Sequence, residues 1–238
     1  MDKKLNIKQL CVETLSFMAK NVVPLALFGL VSFLASFLSF KYVFGHQTSM
    51  LFFYSLFCYF FYYVFISLYF EQKPIFTSEK LVSSAIKAIV IFAISLFVVI
   101  CFHFALKLLK YMAMGLVGFP DVYDMLKNTY HFLNSSMLGR LLLSAPLIFL
   151  LTFTFFIPGF AWVSVINGSD SSLWSAFSKT QGNYLKIFWL LFCLFALLPF
   201  VLSFVVPSKP VCLGLSNALT NMLELVFYIR LYDFFYKG

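Results

Sequence analysis

Six apolar stretches, residues 22–40, 50–70, 88–106, 141–166, 184–206 and 211–229, each of 19 to 26 residues, occupy most of this chain. A helix needs about 20 apolar residues to cross the hydrocarbon core of a bilayer. Lipid offers no partner to a peptide N–H or C=O, so runs of this length fold as helices whose hydrogen bonds close within the segment. The expected fold class is therefore all-α: a polytopic membrane protein of six transmembrane helices. With 238 residues in all, the spans and their connections leave no room for a folded soluble domain, and 1–238 reads as a single membrane domain. A cleaved leader has a shorter apolar core than 22–40, so the first span is expected to be retained.

Charge enters as a topological signal. The chain is 62% hydrophobic and 11% charged with a formal net charge of +8, but its seventeen Lys and Arg are scattered between apolar runs. No basic block or stripe points to nucleic acid. Counted on alternate sides of six spans, eleven of the cations fall with the two termini and six on the other side. The positive-inside rule then predicts both termini in the cytoplasm. Four of the opposing six, Lys107, Lys110, Lys127 and Arg140, sit in one long connection.

Two polar-flanked segments carry helical periodicity without enough apolar length to span. In 4–20, Ile7, Leu10, Cys11, Thr14, Phe17 and Met18 share a face; in 121–133, Val122, Met125, Leu126, Thr129, Tyr130 and Leu133 do, opposite Asp124, Lys127, Asn128 and His131. Both are predicted to lie in the interface plane. A repeat accompanies the first, because Ser16 and Asn21 align with Ser178 and Asn183, each pair leading into an apolar run. A weaker third copy would begin at Thr77, with Leu81, Ser84 and Ile86 ahead of the third span, giving two or three interfacial helices in all.

The region around Ser178 and Asn183, with the last span, also carries a resemblance. Phe160-Ala161-Trp162, the stretch Ser171-Ser172-Leu173-Trp174-Ser175-Ala176-Phe177-Ser178, Gln181-Gly182-Asn183-Tyr184 and the ending Phe227-Tyr228-Ile229-Arg230-Leu231 resemble the YciC-like bacterial inner-membrane proteins. They are also similar to the membrane domain of glycerophosphoryl diester phosphodiesterases. The resemblance implies a six-span protein of the cell inner membrane. It does not imply phosphodiesterase chemistry, which resides in a separate soluble barrel that this chain lacks.

The sixth run holds the candidate site. Ser216, Asn217, Thr220, Asn221 and Glu224 recur at helical spacing and form a polar stripe, with Glu224 roughly 6 Å past the run's midpoint at the helical rise. An ionisable side chain at that depth marks a ligand or proton site by default; the competing reading is that the stripe hydrogen-bonds neighbouring helices. His103 and Cys101, two residues apart, fall on different helix faces, and His46 and His131 have no ligand-spaced companions. No metal, cofactor or catalytic motif is predicted, and five scattered cysteines suggest no disulfide framework. The expected function is binding or moving a small or lipid-like molecule; the alternative is a non-catalytic scaffold or assembly partner of another membrane complex. The expected partners are the lipid bilayer and other membrane proteins or further copies of the chain.

Overall fold

A computed structural model describes residues 5–42, 47–70, 77–115, 124–125, 128, 131, 135–169 and 172–237. Among them every regular element is helical. α1 (Ile7–Lys20) starts at Asn6, whose Oδ1 accepts from the Gln9 N–H, and buries Leu10, Thr14 and Phe17. Ile7 and Cys11 stay exposed, so the buried face is narrower than its periodicity predicts. Pro24 has no N–H to return to the Lys20 carbonyl four residues earlier. The chain bends by 91° at that point, between α1 and α2 (Val22–Tyr42). Asn21 serves the break, its Nδ2 donating to the Phe17 carbonyl at 2.9 Å.

α3 (Gln47–Tyr69) and α4 (Ser78–Gly115) follow, and then α5 (Met137–Leu151) runs through a π-helical turn (Thr152–Phe156) into α6 (Ile157–Ile166). A short α7 (Leu173–Thr180) begins at Ser172, whose Oγ accepts from the Ser175 N–H. At the next turn Gly182, with φ of 78°, takes the left-handed conformation that glycine adopts without steric cost. α8 (Tyr184–Phe192) passes through a second π turn (Cys193–Leu197) into α9 (Leu198–Val205). α10 (Lys209–Tyr232) ends in a third π turn (Asp233–Lys237).

Four helical stretches among the described residues are long and apolar enough to cross a membrane: Ser78–Ala105, Ser144–Ile166, Tyr184–Val205 and Lys209–Tyr236. α1 and α2 pass the same test only as a bent pair, and the described apolar stretch of α3 is the shorter Cys58–Tyr69. The interfacial helix predicted over 121–133 falls almost wholly outside the described residues. The segment from Thr77 differs from expectation, because α4 is one unbroken helix of 38 residues rather than an interfacial helix followed by a span. It lacks a counterpart of the Asn21 or Gly182–Asn183 turn, so among the described residues the helix–turn–span unit is present twice, at α1–α2 and α7–α8.

The bundle centres on α6, all ten of whose residues are buried. Burial grades outward: 67% of the apolar window in Ser144–Ile166 is covered by protein against 11% in Ser78–Ala105, which places α4 at the periphery. α4 is attached by a narrow line of small side chains. Ser84 and Ser95 are buried with Ile91, and Ala88 packs on the core beside them. Small residues permit the close backbone approach on which helix association in lipid depends.

Prolines in the spans expose carbonyls that these close contacts then serve. Pro158 has no N–H to give its own span; Ser95 Oγ of α4 lies 2.8 Å from the nearby Thr154 carbonyl and 2.8 Å from the Ile91 carbonyl of its own helix, and shares its one hydrogen between them. In the second π turn the Leu198 N–H bonds the Cys193 carbonyl, five residues back. Leu194 would pair with Pro199 in that register, and Thr220 Oγ1 of α10 points at its carbonyl from 3.4 Å. Both π turns are followed by an X-Pro pair at the same offset.

Tyr228 of α10 locks against α6. Its ring stacks on Phe156 with centroids 4.4 Å apart and meets Phe160 edge-on at 5.8 Å. A Cβ at position 159 would lie 2.6 Å from the Tyr228 hydroxyl. With the ring held between two phenylalanines there is no free direction for it to yield. Gly159→Ala is therefore expected to cost roughly 1–3 kcal/mol by overpacking, read as a lower unfolding midpoint in lipid nanodiscs; a midpoint unchanged from the parent contradicts this packing.

Candidate functional site

The α10 stripe resolves into an inner line and an outer pair. Ser216, Thr220 and Glu224, four residues apart, are buried; Asn217 is exposed and Asn221 half-buried. The helix advances 400° over four residues, so the inner line drifts slowly around α10 and meets different neighbours at each step.

Near the start of α10, Gly214 lies so close to α2 that a Cβ there would come 2.8 Å from the Phe33 ring. That approach brings Asn217 Nδ2 to within 3.0 Å of Ser36 Oγ on α2. One turn on, Thr220 serves the Leu194 carbonyl. At the far end Glu224, 8% exposed, faces α3. Tyr62 Oη lies 2.9 Å from the Asn221 carbonyl and 3.4 Å from Glu224 Oε2. A phenol has one hydrogen, so the two acceptors share it and the carbonyl holds the shorter contact. Tyr62 is held in turn by Phe28 of α2, whose ring meets it edge-on at 5.6 Å and stacks on Phe61 at 4.0 Å.

The structure thus brings together Glu224, Asn221 and Tyr62 at one point. It separates Asn217 and Thr220 from them, each to a different helix pair. The other candidates from sequence lie apart: His103 and Cys101 are exposed on α4, His131 is exposed, and His46 lies outside the described residues. Among the described residues no three His, Cys, Asp or Glu side chains cluster to hold a metal. None of the five cysteines is in a disulfide, and Cys11, Cys101 and Cys193 face outward rather than into the packing.

A second polar centre, unassigned by sequence reasoning, lies at the far end of α10. Arg230 Nη2 donates to Glu13 Oε2 of α1, its Nη1 lies 3.5 Å from Tyr69 Oη of α3, and the same nitrogen is 3.8 Å from Asp233 Oδ2. Tyr69 Oη donates to Asp233. One guanidinium thereby ties three helices, using a planar array of donors that lysine lacks. Beside it, Tyr232 Oη lies 3.1 Å from Ser169 Oγ, and Lys179 of α7 sits 3.7 Å over the Tyr236 ring. The sequence marked Arg230 and Tyr228 as part of a recurring ending, without indicating what they touch. Tyr62 gave no signal of its own inside the run Tyr59-Phe60-Phe61-Tyr62-Tyr63.

The repeated asparagines have diverged in role. Asn21 bonds within its own turn. Asn183 is buried and its Oδ1 accepts from the Leu5 N–H at 2.8 Å, while Lys186 Nζ donates to the Leu5 carbonyl at 2.6 Å. Leu5, two residues ahead of α1, is thus anchored to the α7–α8 turn and the first turn of α8 by both of its backbone groups.

The chain matches no protein-family model, no curated protein and no solved structure.

The α1 attachment is acid-sensitive by construction. The hydrogen bond from Arg230, and after it that from Gln9 at 2.9 Å, holds the Glu13 carboxyl below its ordinary value. A depressed carboxyl contributes stability that is complete above its unfolded value and is lost as pH falls through the lowered folded value. Amide exchange in α1, corrected for intrinsic rates, should therefore accelerate as the pH falls through that lowered value. In Glu13→Gln it should be faster at neutral pH and lack the acid step. An acid step of unchanged size in the variant contradicts the assignment.

Proposed function

We propose that this chain is a non-catalytic membrane scaffold or assembly partner whose intramembrane polar groups hold its own helices together. One observation carries the reading: three side chains of the α10 stripe are taken up by three different neighbours, Asn217 by Ser36, Thr220 by the Leu194 carbonyl and Glu224 by Tyr62. A route through the bundle calls for these groups to face one shared space. Exposed α4 is the surface such a scaffold offers to another membrane helix, since Ile89, Phe97 and Phe104 point away from the bundle. Binding of a lipid-like molecule is the second reading, favoured by a lateral groove of about 750 Å³ at the start of α4, away from the stripe.

The same proposal takes the chain to cross a bacterial inner membrane six times with both termini in the cytoplasm, adding α2 and α3 to the four helices that qualify alone. The excess of Lys and Arg on the side of the termini supports this orientation. The resemblance to YciC-like proteins belongs to this proposal as well, resting on the motifs over 160–184 and 227–231.

The scaffold reading sets a sharp expectation for Glu224. Glutamine retains the shape and the second acceptor for Tyr62, so Glu224→Gln should unfold within about 1 kcal/mol of the parent; Glu224→Leu removes that acceptor but leaves Tyr62 its shorter bond to the Asn221 carbonyl, and should cost no more than about 1.5 kcal/mol. Both variants that fold should co-purify with the same membrane proteins as the parent in detergent-free lipid particles. A Glu224→Gln protein of parental stability that abolishes a proton-linked flux in vesicles overturns the scaffold reading in favour of transport.

A further inference from the structure

The start of α4 carries a second candidate surface, independent of the stripe and of the scaffold reading. A laterally open groove of about 750 Å³ lies between the first turns of α4 and the first residue of α7. Its polar lining is Ser78, Glu79, Ser83 and Lys87, and its apolar wall is Val82, Ile86 and Val90 with Leu173 opposite. The residues at 79, 82, 83, 86, 87 and 90 follow helical spacing, so one face of α4 presents both characters together.

We infer that this groove seats a phospholipid whose headgroup carries both a phosphate and a primary amine. The apolar wall decides for a lipid over a soluble phosphate compound. Val82, Ile86 and Val90 are exposed, and the same helix continues with exposed Ile89, Phe92 and Phe97, so an acyl chain lying in the groove passes without a break onto the outer surface of α4. Trp174, 80% exposed beside Leu173 on α7, is placed as an interfacial anchor. Charge decides the headgroup. One carboxylate and one ammonium line the groove, so an anionic headgroup would set its charge against Glu79 and a neutral glyceride would bring no cation to that carboxylate.

The two charges sit eight residues apart, roughly 12 Å along the helix axis. Cβ vectors tilt toward the helix N-terminus, so the Lys87 stem reaches back in the direction of Glu79. A zwitterionic headgroup spans that interval with its phosphate at Lys87 and its amine at Glu79. The amine must be primary, because a quaternary ammonium has no N–H to give to Glu79 or to the hydroxyls of Ser78 and Ser83. Lys87 has three N–H donors and can serve a phosphate while keeping another contact.

The full chain, extracted from vesicles of equal parts phosphatidylethanolamine, phosphatidylcholine and phosphatidylglycerol, is analysed for retained lipid by native mass spectrometry. Phosphatidylethanolamine should be enriched roughly two- to fivefold over each competitor, the range expected of exposed ion pairs. Glu79→Gln should abolish the advantage over phosphatidylcholine. Lys87→Gln should lower retention of all three, and Ile86→Trp, which fills the groove, should remove the retained lipid. Each variant's thermal midpoint is measured alongside, and a variant that fails to fold is replaced by Glu79→Ser or Lys87→Met. Equal retention of the three lipids, a preference for the anionic one, or a preference that survives Glu79→Gln overturns the inference.

Discussion

Inside a bilayer a polar group that the protein leaves unpaired finds no water to pair with, and this constraint shapes the polar contacts between the spans. The prolines make the constraint acute. Pro158 and Pro199 each remove an N–H from a span, and the helix widens into a π turn just before them. Hydroxyls of other helices meet carbonyls in these turns, Ser95 that of Thr154 and Thr220 at longer range that of Leu194. What reads locally as a helix defect is therefore also an address: it states which hydroxyl of which neighbour belongs there.

α10 is where these addresses converge. It touches α2 through Gly214 and Asn217, α3 through Glu224 and Arg230, the second π turn through Thr220, α6 through Tyr228, and α1 through Arg230. A helix with so many polar and small residues is a poor membrane span taken alone. Its mean hydropathy over the best window is 1.3, against 2.8 for α4. The contrast fits their places: α4 meets surroundings on most of its face, whereas the polar groups of α10 meet partners supplied by other helices. Close packing of Gly29 and Gly214 against Met222 and Phe33 brings α2 and α10 together, and the polar contacts set the register between them.

Much of this fold was legible in the chain. Apolar run length gave the helices, the Asn21 and Asn183 positions gave the two helix–turn–span units, and helical spacing on the last run gave the stripe. Periodicity cannot tell which neighbour a polar residue meets, so the stripe appeared as one face when it serves three helices in turn. Tyr62 was invisible for a related reason: among alternating Phe and Tyr, only the fold decides which hydroxyl reaches a carboxylate. Thr77 misled because a polar segment ahead of an apolar run has the same composition whether or not the helix breaks between them. No proline or glycine stands there to force a turn, and α4 runs straight through.

The central claim is that the α10 polar line is used up by helix packing and does not line a water-filled route. Single cysteines placed at Ser216, Asn217 and Thr220, in a chain whose own five cysteines are replaced, report this directly when membranes are treated with a small, membrane-impermeant thiol reagent. The account predicts that positions 216 and 220 stay unlabelled in the folded protein and react only after denaturation. Labelling of both in intact membranes, at a rate near that of an aqueous loop cysteine, would contradict it and place water along the stripe.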